Sequence, residues 1–140
     1  MRIGADYYPE HWEKERWKTD AEMMVKANIK VIRIGEFAWS LYEPEEGKYE
    51  FDWMDEALDF FGKYGIKVVM CTPSATPPKW MIDKYPDILQ NDIHGNPKLF
   101  GTRKHYCFNS ETYREKTKKL NTLIAKRYAT VSYTHLRAHE

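Results

Sequence analysis

One guanidinium interrupts an otherwise apolar run, Val31-Ile32-Arg33-Ile34. A charge placed there must reach a carboxylate or open water, because burying it alone is costly. Asp6, at the end of the first extended stretch, and Glu36, just past Ile34, are the partners within reach. Glu36 could be mistaken for a catalytic carboxylate, and an ion pair with Arg33 is the other reading. Two other residue types could carry chemistry. Cys71 and Cys107 could pair, yet a chain with no export signal needs no disulfide framework, so free thiols or a metal ligand are the expectation. His135 and His139 have the four-residue spacing of a helical metal pair, but no glutamate adjoins His135 and nothing nearby starts a helix, so no metal site is assigned to them.

These residues need elements to hold them. Met1 to Ala5 reads as a short strand. Glu13 to Ala27 carries Trp17, Ala21 and Met24 at helical spacing, with Asn28 as its stop. Val31 to Ile34 is β-branched and ends at Gly35; Met54, Leu58 and Phe61 then recur at helical intervals. Ile66 to Thr72 is nearly all apolar, as a parallel strand covered on both faces should be. Five prolines between Pro73 and Pro97 restrict residues 73–109 to short helices, and so long a connection is usually functional. Thr112 and Glu115 fit a capping box opening a helix that runs to about Ala129. Three strand-helix units argue for a parallel α/β architecture. The turn Asp6 to Trp12 has no glycine-rich phosphate cradle, which favours a barrel over a dinucleotide-binding sheet.

Composition bounds the partners. The 140 residues are 42% hydrophobic and 15% aromatic, enough for one core. Lysine and arginine number 22 against 21 acidic residues, with no like-charged face, so nucleic acid is not expected. No apolar run reaches a membrane span's length and no leader is visible, so the chain reads as soluble and cytoplasmic. Val131 to Glu140 continues neither the helical period nor a buried strand. It resembles the translated read-through of a sequencing adaptor, so the domain is assigned to residues 1–130 and residues 131–140 to a non-native tail.

Four blocks in order, Tyr7 to Trp12, Arg33 to Ser40, Thr72 to Trp80 and Arg103 to Cys107, together resemble glycoside hydrolase family 42. The segment Glu43 to Asp52 alone supports only the wider group of barrel glycosidases. The resemblance implies a (β/α)8 barrel that hydrolyses terminal β-D-galactosides with retention, using two glutamates about 5–5.5 Å apart at the ends of strands four and seven. The present chain then holds the first three βα units of a truncated barrel and no catalytic residue. The resemblance further assigns Arg103 to substrate, since its planar fork suits adjacent sugar hydroxyls, and it lets Arg33 do the same. Lys104 reads as surface charge and His105 as a packing residue. Cys107 matches the first of four zinc-binding cysteines whose partners follow strand four, although many members lack that structural zinc; Cys71 reads as core. No cofactor is implied for catalysis, and a homo-oligomer, commonly a trimer, is. Trp12, Trp39 and Trp80 could stack on a pyranose or simply hold loops down. Another retaining barrel glycosidase, or a noncatalytic sugar-binding barrel, is the alternative.

Overall fold

The computed structural model describes residues 3–101, 103–131 and, as backbone only, 134–137. Met1 and Arg2, the expected start of the first strand, and most of the expected tail lie outside these. Four strands, β1 (Ile3–Asp6), β2 (Ile29–Ile34), β3 (Lys67–Cys71) and β4 (Thr134–Arg137), pair in parallel in the order β1-β2-β3-β4. A doubly wound sheet would reverse direction partway, whereas this order steps one way throughout, as a barrel requires. Helices α1 (Lys14–Lys26), α3 (Asp52–Lys63) and α5 (Glu111–Tyr128) make the crossovers. Two short helices, α2 (Trp39–Tyr42) and α4 (Lys79–Lys84), lie in the loops after β2 and β3.

The strands' two faces differ. Ile32 and Ile34 of β2 and Val68 and Met70 of β3 are fully buried, packed with Trp17, Ala21 and Met24 of α1 and Met54, Leu58 and Phe61 of α3. Burying one such side chain contributes about 1.5–3 kcal/mol, so this layer holds helices to sheet. On the alternate face the register sets Gly4 beside Val31, and Asp6 beside Arg33 beside Val69. Gly4, Asp6, Val31 and Arg33 there line an open groove of about 300 Å³.

Two helix ends show how local chemistry sets boundaries. Asn28 takes a left-handed conformation (φ 58°) just after α1, the stop expected of it. Helix α5, by contrast, is capped by Ser110, whose hydroxyl accepts from the Tyr113 amide at 3.2 Å, so the Thr112 capping box is corrected. Ser110 has the extended backbone a cap needs, while Thr112 already sits within the first turn.

A second correction concerns the chain end. No strand was expected after Ala129, yet Thr134–Arg137 pairs with β3 from Val68↔Thr134 to Cys71↔Arg137. The open edge of β3 offers unpaired amides and carbonyls, and a backbone ladder needs no apolar pattern in the strand that joins it.

Candidate active site

The groups that could act on a ligand gather at the C-terminal ends of β1, β2 and β3, where parallel barrels place their chemistry. Arg33 projects from β2. Its Nε donates to Asp6 Oδ1 at 2.7 Å and its Nη2 to Asp6 Oδ2 at 3.0 Å, while Nη2 also lies 2.8 Å from Glu36 Oε2. Both carboxylates offered by the sequence therefore take it. The Asp6 hydrogen bonds, more than any other influence, push the guanidinium above its ordinary pKa. Glu36 can fold back on Arg33 because Gly35 between them has φ 83°, where a Cβ would also stand 3.3 Å from the Tyr42 hydroxyl. Cys71 is buried, as expected of a core residue, and its sulfur accepts from Arg33 Nη1 at 3.8 Å. Burial pushes this thiol's pKa up, against the pull of Arg33.

Arg103 comes from the long loop after β3. Its guanidinium is exposed and lies 4.4 Å from the centroid of the Phe37 ring. Lys104 is left-handed (φ 55°) and its amide donates to the Ala75 carbonyl at 3.2 Å, fixing the loop beside β3. Glu36, Thr72, Ser74, Arg103 and Tyr106 share the wall of a cavity of about 310 Å³. Its other side is built by Tyr113 of α5, which stacks on Tyr106 at 3.9 Å and donates to the Ser74 carbonyl at 2.7 Å. Tyr8 lies among these charges. Burial raises its pKa first, then Glu36 and Asp6, with Arg33 and Arg103 opposing.

The remaining expected residues fall in different places. Trp39 is buried and donates to Glu43 Oε2 at 3.0 Å; Trp80 donates to the Glu43 carbonyl at 2.8 Å. Both therefore tie loops together. Trp12 is 49% exposed, with Arg16 over its ring, and keeps a free aromatic surface. His105 is buried between Phe100 and Tyr106, as a packing residue. Cys107 is half-buried, its amide bonded to the Ile88 carbonyl at 2.7 Å. Among the described residues no three His, Cys, Asp or Glu side chains converge, so these residues alone do not fit a tetrahedral zinc. Nor is any described helix long and apolar enough to cross a membrane.

Residues 6–136 match the sequence profile of the glycoside hydrolase family 42, described as beta-galactosidase. The chain belongs to that family. Family 42 relatives cover it nearly end to end. A beta-galactosidase of Thermus thermophilus is 54% identical over 126 residues, which is 90% of this chain and 20% of that protein. Beta-galactosidase BgaH of Haloferax lucentense is 49% identical over 92% of this chain and 20% of its own length. Among solved structures, the beta-galactosidase from the psychrophilic Marinomonas ef1 superposes with a TM-score of 0.94 at 42% identity, over 99% of this chain and 21% of that one. The chain thus spans about a fifth of the length of its relatives, and its fold is the corresponding part of a family 42 (β/α)8 barrel.

Tyr8 and Phe37 lie in the segments Tyr7 to Trp12 and Arg33 to Ser40, but no spacing in the sequence signals that their rings meet.

Proposed function

We propose that the full-length protein containing this segment hydrolyses terminal β-D-galactosides with retention, and that this segment supplies the substrate-binding ends of its first three strands. What carries the reading is that the named relatives matching nine-tenths of the chain are beta-galactosidases. The geometry fits it: Arg103 presents donors at a cavity of about 310 Å³ whose wall includes Glu36, and Glu36 is paired to Arg33, which lines the neighbouring groove. Retaining chemistry needs an acid/base and a nucleophile, which the reading places outside these residues. The test is hydrolysis of aryl β-galactoside, β-glucoside and β-mannoside by the full-length protein, with the first-formed anomer read by NMR. Preferred turnover of the galactoside to the β-anomer supports the reading. Preference for another sugar moves it to a different retaining glycosidase, and absence of turnover with retained sugar binding makes it a binding barrel.

Cys107 is proposed as one ligand of a structural zinc whose other ligands lie outside the described residues. Equal zinc content in the full-length protein and its Cys107→Ser variant would remove it as a ligand. Trimer assembly, which the family resemblance implies, and cytoplasmic residence are further proposals, read by sedimentation and fractionation.

A further inference from the structure

We propose that Phe37, backed by Tyr8, is a positioning residue for Arg103, through a stack that runs His11, Tyr8, Phe37, Arg103 across three loops. The proposal rests on the reading of Arg103 as a substrate-binding residue. The loop after β1 supplies His11 and Tyr8, whose rings stack at 5.2 Å and 23°. The loop after β2 supplies Phe37, stacked on Tyr8 at 5.8 Å and 21°. The loop after β3 supplies Arg103, whose guanidinium carbon lies 4.4 Å from the Phe37 centroid.

The chemistry of a guanidinium makes this arrangement useful. Its five N–H groups radiate in one plane, so a ring against the flat face holds the group without occupying a donor. A carboxylate partner would hold it equally well but would take the donors, as Asp6 does with Arg33. Arg103 is exposed, and an unsupported exposed arginine must lose rotamer freedom when it meets a ligand. The stack removes part of that loss beforehand. Phe37 is itself anchored: it is half-buried, and its carbonyl accepts from Thr76 Oγ1 at 3.3 Å, binding the β2 loop to the β3 loop.

The experiment uses the full-length protein and four variants: Phe37→Leu, Phe37→Tyr, Arg103→Ala, and Phe37→Leu with Arg103→Ala. Leucine keeps apolar bulk but has no π face; tyrosine keeps the face. For an aryl β-galactoside, Phe37→Leu should raise KM by about 3–10-fold with kcat nearly unchanged, and Phe37→Tyr should behave as wild type. In the Arg103→Ala background Phe37→Leu should add nothing, since there is no guanidinium left to hold. A full additional loss there would mean that Phe37 acts on substrate by itself and would overturn the proposal; so would Phe37→Tyr failing as badly as leucine. Crystal structures of wild type and Phe37→Leu complete the test. Arg103 should lie over the ring in the first and leave that place in the second. If the wild type turns over no galactoside, the functional reading falls, and these structures alone decide the stack: an unmoved Arg103 overturns it.

Discussion

Arg33 and Arg103 present the same head group to opposite circumstances. Asp6 and Glu36 already occupy the donors of Arg33, and Glu36 is only 5% exposed. Arg33→Ala should therefore strip a buried carboxylate of its cation and lower thermal stability by about 1–3 kcal/mol along with any activity. Arg103 meets solvent, so Arg103→Ala should leave thermal unfolding unchanged while lowering kcat/KM of the full-length protein by about 10 to 1,000-fold, as losing one or two contacts to substrate would. Unaltered kinetics in the second variant would return Arg103 to the surface; unaltered unfolding in the first would mean that the pair holds nothing. Arg33 was legible because a charge inside an apolar strand demands a partner, and both candidates lay nearby in sequence. The Phe37 contact was not, because Arg103 lies far along the chain and only the folded loops bring the two together.

At the scale of elements, helical periodicity located α1 and α3, since the residues that repeat are the buried ones, and a nearly unbroken apolar run located β3. The positions of the short helices were not legible, because prolines and glutamates interrupt any pattern around them; Trp39 and Tyr42 of α2 and Met81 of α4 are fully buried, and α4 is also held by an ion pair. Glu46, in the loop before α3, accepts from the Tyr85 hydroxyl at 2.9 Å and pairs with Lys84 of α4 and Lys116 of α5. The hydrogen bond from Lys116, then that from Lys84, lowers its pKa to about 2. A folded pKa below the unfolded one stabilises the fold above the unfolded value of 4.5 and loses that stabilisation as pH falls toward 2. Glu46→Gln in the full-length protein should thus unfold at a lower temperature than wild type near neutrality, and the gap should close across that acid window. Because the site is open to water, 1 M salt should also shrink it. A gap constant from pH 7 to 2 would sink the assignment and point to packing.

The whole molecule shows on its surface how much of a barrel these residues are. The strands step in one direction, so closure would require β1 to meet a strand beyond β4, and strand number, tilt and stagger are linked in any closed barrel. The 140-residue chain expressed alone leaves both of those edges unpaired, a template for association with other copies. Its inward face, where Val31 and Arg33 line an open groove, has no opposite wall, and Leu99, Phe100 and Phe108 of the long loop are 76%, 50% and 60% exposed. Apolar surface of that kind in a small unit favours aggregation over a soluble monomer. Activity should fail separately, because the proposed reading gives these residues no group for leaving-group protonation and no nucleophile. The prediction is that residues 1–140, purified beside the full-length protein, show poor solubility, no cooperative thermal transition and no aryl β-galactoside hydrolysis above background. A sharp transition without turnover would mean that four strands and their helices suffice to fold. Turnover from the short chain would place a catalytic carboxylate within it, with Glu36, which lines the cavity and pairs with Arg33, the first to be replaced by glutamine.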